Sequence, residues 1–107
     1  MEKLKVKVTV DRPVGYLDSF NNRYPVNYGY IEGVIGGDGE EQDAYILNVP
    51  AKKLDVFIGI VTAVIHRNVD IETKWIVIPE GSTISVDEIT TQTYFIEQHF
   101  DSHIELL

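Results

Sequence analysis

The strongest constraint on the fold is the alternation of apolar and polar residues at the N-terminus. Residues 4–10 carry leucine or valine at every even position, with lysine or threonine between them. Successive side chains of an extended chain point to opposite faces, so this pattern predicts a strand with one buried and one solvated face. Pro13 ends the strand because proline has no N–H to donate to a neighbouring strand.

Four more segments are short and apolar, and we predict that they are strands as well: residues 28–35, 44–49, 56–65 and 74–78. Gly59 lies inside the third of them and indicates a bend or bulge. Residues 66–73 form a polar connection, which we expect to join the last two strands as a hairpin. Several short strands at such close spacing predict a small barrel or a sandwich.

The period of the apolar residues changes near the C-terminus. Ser85 and Glu88 have the spacing of a capping box, in which each side chain hydrogen-bonds the backbone of the other residue. Apolar residues then fall on one helical face, which predicts a single helix from about Val86 to Phe100, packed on the strands. The predicted architecture is therefore mainly β, with five or so strands and one C-terminal helix.

Composition limits the classes of partner. The chain has 107 residues, no cysteine and a formal net charge of -8. This length suits one domain, residues 1–107, and the lack of cysteine excludes disulfides and thiolate metal sites. The negative charge argues against nucleic acid and anionic membranes as partners. Without a signal-peptide pattern or an apolar run of about 18 residues, we expect a soluble, cytoplasmic protein.

Four carboxylates within six residues form the first candidate site: Asp38, Glu40, Glu41 and Asp43. Residues at i and i+2 of an extended segment point the same way. Asp38 and Glu40 could therefore face one Mg2+ or Mn2+ ion, with Asp43 joining from the start of the next strand. The alternative is a solvated acidic turn, which is the simpler interpretation of the composition alone.

A second candidate site precedes the last predicted strand. Alternation places Asp70, Glu72 and Lys74 on one face, where two carboxylates and an ammonium could bind a metal and a phosphate. A charged strand edge that deters aggregation explains the same residues. Three tyrosines before the acidic run are either core residues with a hydroxyl at the rim or donors to an anion, and the sequence leaves both open: Tyr24, Tyr28 and Tyr30.

These motifs together resemble a known family. YPVNYGYI at 24–31 is followed by DGEEQD at 38–43 and an apolar strand. This arrangement resembles the soluble inorganic pyrophosphatases, which carry a Tyr-Pro-x-Asn-Tyr-Gly-Tyr stretch and an Asp-x-Asp-x-x-Asp motif at the same spacing. ETKWIVIP at 72–79 resembles the family's carboxylate-x-lysine segment, and FIEQHF at 95–100 resembles its last helix. The resemblance covers about residues 11–100.

The resemblance implies a fold and an activity. The fold would be a small OB-like barrel, closed and five-stranded, with a flanking helix. The activity would be Mg2+-dependent hydrolysis of pyrophosphate to two phosphates by a metal-activated water, with Mn2+ as an alternative ion. Metal ligands would be Asp38, Asp43, Glu72 and Asp70.

The resemblance also implies roles for side chains that face the reaction. Glu40 and Asp43 would be catalytic, since Glu40 stands where the family has an aspartate that helps deprotonate the attacking water. The substrate would be contacted by four residues: Tyr28, Lys74, Arg12 and Asp11. Arg23 could replace Arg12 in this role.

The chain departs from the family pattern at several cations. The lysine-bearing hairpin after the first strand is absent, and a Tyr-Lys pair near the end of the helix is replaced by Phe100-Asp101. Two alternatives therefore stay open beside the pyrophosphatase. One is a metal- or phosphate-binding barrel with little or no turnover, and the other is a hydrolase of a different phosphoanhydride. A homo-oligomer is compatible with either.

Overall fold

The computed structural model describes residues 3–69 and 71–107, and Asp70, predicted as a metal ligand, lies outside the described residues. The described chain forms six strands and one helix. In chain order these are β1 (Lys5–Arg12), β2 (Asn27–Ile35), β3 (Glu41–Ile46), β4 (Val56–Arg67), β5 (Thr73–Ile78), α1 (Val86–Glu97) and β6 (Ser102–Leu106).

Five of the strands close into a barrel. The order of hydrogen-bonded neighbours is β1-β2-β3-β5-β4, and pairing of β1 with β4 closes the ring. The β3–β5 pair is parallel, and the other barrel pairs are antiparallel. The predicted mainly β fold with a closed five-stranded barrel and one helix is therefore confirmed, and the sandwich is not formed.

The C-terminal end differs from the prediction. The helix ends at Glu97 rather than at Phe100, and Ser102–Leu106 forms a sixth strand that the sequence did not predict. The first half of the long strand β4 pairs with β1, whereas its second half pairs with β6, with His66 opposite His103. The added strand thus covers the part of the β4 edge that β1 does not reach.

Gly59 marks a close approach of two strands. A Cβ atom on Gly59 would lie 2.4 Å from the carbonyl oxygen of Ile78 on β5. The irregularity predicted for this strand occurs two residues later, between Val61 and Ala63.

The apolar residues form two clusters, one on each face of the barrel wall. One cluster draws on all five barrel strands and therefore fills the barrel: Val6, Val8, Ile31, Ala44, Ile46, Val61 and Val77. The other lies on the outer face, beneath α1 and β6, and includes Tyr24, Tyr28, Tyr45, Ile65, Ile76 and Ile89. Successive residues of β3 enter different clusters because side chains of a strand alternate between its two faces.

Helix α1 begins with the predicted capping box. Ser85 Oγ accepts a hydrogen bond from Glu88 N at 3.1 Å, and Glu88 Oε1 accepts one from Ser85 N at 3.0 Å. Ile89 and Thr93 are buried on the face that meets the barrel, and so is Glu97, which brings a carboxylate under the helix. Among the described residues, no helix is long and apolar enough to span a membrane.

Candidate active site

A cavity of about 640 Å³ lies on the outer face of the barrel wall, beside the C-terminal end of α1. The segments that line it come from β1, the following loop, β2, β3, β4, β5 and the helix end. Its charged lining residues are Asp11, Arg12, Asp18, Asp43, Arg67, Glu72 and Lys74. Four carboxylates and three cations that are far apart in the sequence thus share one cavity.

Lys74 is one of the residues that line this cavity. Its side chain is buried, and its Nζ atom donates hydrogen bonds to Asp43 Oδ2 at 2.8 Å, to the Tyr28 hydroxyl at 2.8 Å and to Glu72 Oε1. An ammonium has three N–H donors, so these partners use all of them. The alternation that places Glu72 and Lys74 on one face of the chain therefore does bring them together.

The neighbours of Lys74 also affect Tyr28. Burial, followed by the nearby charge of Asp43, raises the pKa of the Tyr28 hydroxyl above its ordinary value of 10.0. A buried ionised phenol beside a carboxylate is unfavourable, so the hydroxyl stays protonated at neutral pH. It is therefore a hydrogen-bond donor, and the Asp43 carboxylate is an acceptor for it in the cavity.

Arg67 and Glu97 form a second charged pair, which the sequence did not predict. Arg67 Nη2 donates to Glu97 Oε2 at 3.2 Å, and Arg67 Nη1 donates to Glu72 Oε2 at 3.0 Å. The guanidinium carbon also lies 3.6 Å from the centre of the Phe100 ring. The hydroxyl of Tyr45 donates to Glu97 at 2.7 Å, so this carboxylate is held by two buried groups.

The pKa values of this pair follow from burial and charge. Burial lowers the pKa of Arg67, but the hydrogen bond and the negative charge of Glu97 outweigh burial and leave the pKa raised. Burial, and then the Glu97 carboxylate, raise the pKa of Tyr45. A sequence signal did exist, since Glu97 is four residues beyond Thr93 on the buried face of α1. Arg67 likewise continues the alternation of Ala63 and Ile65, which face the cluster beneath α1.

Arg12 enters the cavity through a β-bulge in β1. Val10 pairs with Gly29 and Arg12 with Tyr28, so the chain gains one residue, Asp11, between two successive pairs. Arg12 Nη1 donates to the hydroxyl of Tyr24 at 2.6 Å. Its guanidinium also lies 5.5 Å to 5.7 Å from the ring centres of Tyr16, Tyr24 and Tyr28.

Charge and burial distinguish Arg12 and Asp11 from the other cavity residues. Within residues 3–69 and 71–107, no carboxylate forms an ion pair with Arg12, whereas Lys74 and Arg67 each hold two. Partial desolvation raises the pKa of Asp11, and repulsion from Asp43 adds to this effect. Among the three described cations that line the cavity, Arg12 is thus the best placed to bind an anionic ligand.

Asp38 and Glu40 lie outside the cavity. Asp38 Oδ1 accepts a hydrogen bond from Glu40 N at 3.0 Å, and Gly39 between them has a φ of 84°. Both acidic residues are exposed. Asp38 borders a narrow crevice that Asp43 and Glu72 also line, but the structure does not bring Glu40 to either of these carboxylates. The acidic run is therefore divided between an exposed turn and the cavity.

The predicted metal ligands can be tested for fit. The described ranges contain no group of three or more histidine, aspartate or glutamate side chains that could hold a metal ion. Asp43 and Glu72 are hydrogen-bonded to Lys74, and Glu72 is also bonded to Arg67. Divalent magnesium and manganese need several oxygen ligands at short distance, so these paired carboxylates do not fit a resident ion.

Comparison with known proteins identifies relatives. No established model of a protein family matches the sequence. An inorganic pyrophosphatase from Mesorhizobium japonicum is 30% identical over 115 residues, and the match spans 92% of this chain and 64% of that protein. This chain therefore spans about 64% of the length of the curated relative that it matches.

Solved structures share the fold at lower identity. An inorganic pyrophosphatase from Coxiella burnetii superposes with a TM-score of 0.66 at 14% identity, covering 99% of this chain and 85% of the other. One from Ehrlichia chaffeensis gives a TM-score of 0.63 at 15% identity, with coverages of 97% and 85%. One from Helicobacter pylori gives 0.59 at 16% identity, with coverages of 99% and 82%. These likenesses show that the barrel is of the OB-like type.

Proposed function

We propose that this chain hydrolyses inorganic pyrophosphate to two phosphates, starting from its 30% identity to an inorganic pyrophosphatase over 92% of its length. One observation carries the proposal: Asp43, Lys74 and Tyr28 share hydrogen bonds at the wall of a cavity that also holds Arg12. A carboxylate can accept a proton from water, and two cations and a protonated phenol can stabilise charge on phosphate oxygens.

Arg12 and Tyr28 are proposed to bind the phosphate oxygens. The guanidinium of Arg12 has donors that can meet two oxygens of one phosphate, and the tyrosine rings around it fix its plane. Lys74 adds a second positive charge beside the Tyr28 hydroxyl. Charge on the oxygens of the departing phosphate rises during the reaction, so fixed cations at these positions stabilise the transition state.

Asp43 is proposed to be the general base. One of its oxygens, Oδ2, is held by Lys74 at 2.8 Å, which orients the carboxylate. Water would attack one phosphorus, Asp43 would take its proton, and the bond to the bridging oxygen would break. Glu40, for which the resemblance implied this role, lies on the exposed turn, so we assign the role to Asp43 instead.

Mg2+ is proposed to enter as part of the substrate, on the phosphate oxygens. This assignment agrees with the lack of a group of metal ligands in the described ranges. A bound Mg2+ would neutralise charge on the phosphates, and Mn2+ could replace it.

A phosphate-release assay with pyrophosphate and Mg2+ tests the proposal. We expect Asp43→Asn to lower the rate by about a hundredfold or more, which is the usual size of a general-base contribution. Asp55→Asn is the matched control, because Asp55 is exposed and does not line the cavity. Equal rates for wild type and Asp43→Asn would contradict the assignment of the base.

The alternative function is a phosphate-binding barrel with little turnover. The observation in its favour is that two of the three cavity cations, Lys74 and Arg67, already hold carboxylates. Calorimetric binding of pyrophosphate without phosphate release would support it. Release from a nucleoside triphosphate but not from pyrophosphate would instead identify another phosphoanhydride as the substrate.

A further inference from the structure

Two carboxylates of the cavity converge on a single nitrogen. Lys74 Nζ lies 2.8 Å from Asp43 Oδ2, and the same atom donates to Glu72 Oε1 and to the hydroxyl of Tyr28. Only 6% of the Lys74 side chain is exposed, so it cannot swing into solvent without opening the wall. The point at which these oxygens meet is thus occupied by a fixed ammonium.

The second oxygen of Glu72 is held by a second fixed cation. Arg67 Nη1 lies 3.0 Å from Glu72 Oε2, and its side chain is also only 6% exposed. Phe100 covers one face of the guanidinium, and Glu97 binds its other edge. A cation approaching Glu72 therefore meets two positive charges that neighbouring side chains hold in place.

We propose that Lys74 occupies the position between Asp43 and Glu72 that a divalent cation would need, and that the ligand-free protein binds no divalent cation in this cavity. A divalent ion would have to displace Lys74 from three hydrogen bonds and would be repelled by Arg67. The lysine and the arginine are built-in counter-ions of the site. This inference concerns the ligand-free protein and holds whether or not the protein hydrolyses pyrophosphate.

The proposal predicts that one substitution creates a metal site. Lys74→Met keeps most of the apolar stem of the side chain but removes the ammonium. Asp43, Glu72 and the Tyr28 hydroxyl would then surround a vacated position with three oxygens. Asp43 Oδ2 and the Tyr28 hydroxyl lie 2.8 Å from the Nζ position, so a small shift brings them to the roughly 2.0–2.6 Å at which oxygens bind hard divalent cations.

Mn2+ binding to the wild type provides the first test, with the free-ion EPR signal as the readout. We expect wild type and Asp43→Asn to bind Mn2+ equally, since Lys74 keeps Asp43 from the ion in the wild type. Both proteins are compared in an Asp38→Asn background, because Asp38 borders a crevice with Asp43 and an ion held there would otherwise enter the comparison. Binding by the wild type that Asp43→Asn abolishes would overturn the proposal.

Lys74→Met provides the second test. We expect it to bind Mn2+ at least about tenfold more tightly than wild type, because a positive charge at the site has been removed. Mn2+ should also raise its melting temperature by mass action. The double variant Lys74→Met/Asp43→Asn should lose both effects. A folded Lys74→Met protein that binds Mn2+ no better than wild type would overturn the proposal.

Lys74→Gln is the second variant if Lys74→Met does not fold, since its amide can still donate to one carboxylate. It should show the same gain in Mn2+ affinity, and the absence of any gain would count against the proposal. No readout in these experiments is enzymatic activity. A failure of the counter-ion proposal is therefore distinguishable from a failure of the proposed hydrolysis.

Discussion

At the scale of single residues, the position of each charged side chain in the site depends on the group to which it is hydrogen-bonded. Glu97 shows this, because a carboxylate beneath a helix would be unfavourable without its hydrogen bonds from Tyr45 and Arg67. Through Arg67 it also fixes the position of Glu72. Glu97 is thus a positioning residue, which orders the cavity wall from a helix that contributes no group to the proposed chemistry.

Two aspartates of the cavity rim should affect stability with opposite dependence on pH. Partial desolvation raises the pKa of Asp11 above its ordinary value of 3.8, so the folded state holds this proton more tightly than the unfolded chain. The resulting stability is present below about pH 3.8 and is lost as the pH rises through the folded pKa. We therefore expect Asp11→Asn to stabilise the protein at pH 7 more than at pH 3.5, measured by urea unfolding.

Asp18 is the matched comparison. Desolvation raises the pKa of Asp18, but hydrogen bonds from Asn22 and the backbone of Phe20 outweigh it, so the pKa is lowered. Its stabilisation is present above its ordinary value of 3.8 and is lost as the pH falls through the folded pKa. Asp18→Asn should therefore destabilise the protein at pH 7 and have less effect at pH 3.5. The same pH trend for both variants would contradict this account.

At the scale of elements, a close approach of β1 and β2 sets up the cavity. Gly29 faces Val10 just before the bulge that contains Asp11 and precedes Arg12, two residues that line the cavity. A Cβ atom on Gly29 would lie 1.9 Å from the carbonyl oxygen of Thr9, which is a backbone atom and cannot rotate away. The two strands can reach this distance only because residue 29 has no side chain.

Gly29→Ala should therefore be costly. We expect it to lower the free energy of unfolding by about 3 kcal/mol or more, since the two strands must separate. Gly36→Ala is the control, because the nearest atom to its Cβ would be the movable Gln42 Oε1 at 3.1 Å. Chemical denaturation of both variants measures the difference. A loss for Gly29→Ala no larger than for Gly36→Ala would show that the strands are not held this closely.

At the scale of the whole molecule, the net charge of -8 is unevenly distributed. The buried cations Lys74 and Arg67 hold Asp43, Glu72 and Glu97, whereas the acidic turn at 38–40 is exposed. Repulsion between exposed carboxylates is screened strongly by salt, but buried ion pairs are screened much less. The charge on the surface and the charge in the cavity should therefore respond differently to ionic strength.

Monovalent salt should stabilise this protein. We expect the melting temperature to rise by a few degrees as NaCl goes from about 10 mM to 200 mM, because the Debye length falls from about 30 Å to below 10 Å over this range. KCl at equal concentration controls for specific ion effects, and differential scanning calorimetry provides the measurement. A fall in melting temperature would mean that ion pairs at the surface outweigh the repulsion.

Much of the architecture was determined by local sequence. Alternation in residues 4–10 predicted β1, and the Ser85–Glu88 spacing predicted the start of α1, because both depend on neighbours along the chain. The tyrosine and acidic motifs identified the resemblance to relatives with the same barrel. Strand β6 was missed because its five residues are mostly exposed and form a strand only against β4.

The site itself was decided by the tertiary structure. The spacing of Asp38, Glu40 and Asp43 suggested a common metal site, but only Asp43 lines the cavity. Asp38 borders the neighbouring crevice, and Glu40 is exposed on the turn at Gly39. Tyr45 and Glu97 are 52 residues apart in the sequence and meet through their side chains. Local patterns determine which face of a strand a charge occupies, whereas the packing of distant elements determines which opposite charge it meets. Because β3 and β5 pack side by side, Lys74 is buried against Asp43 and Glu72 as their counter-ion and is not an exposed edge residue.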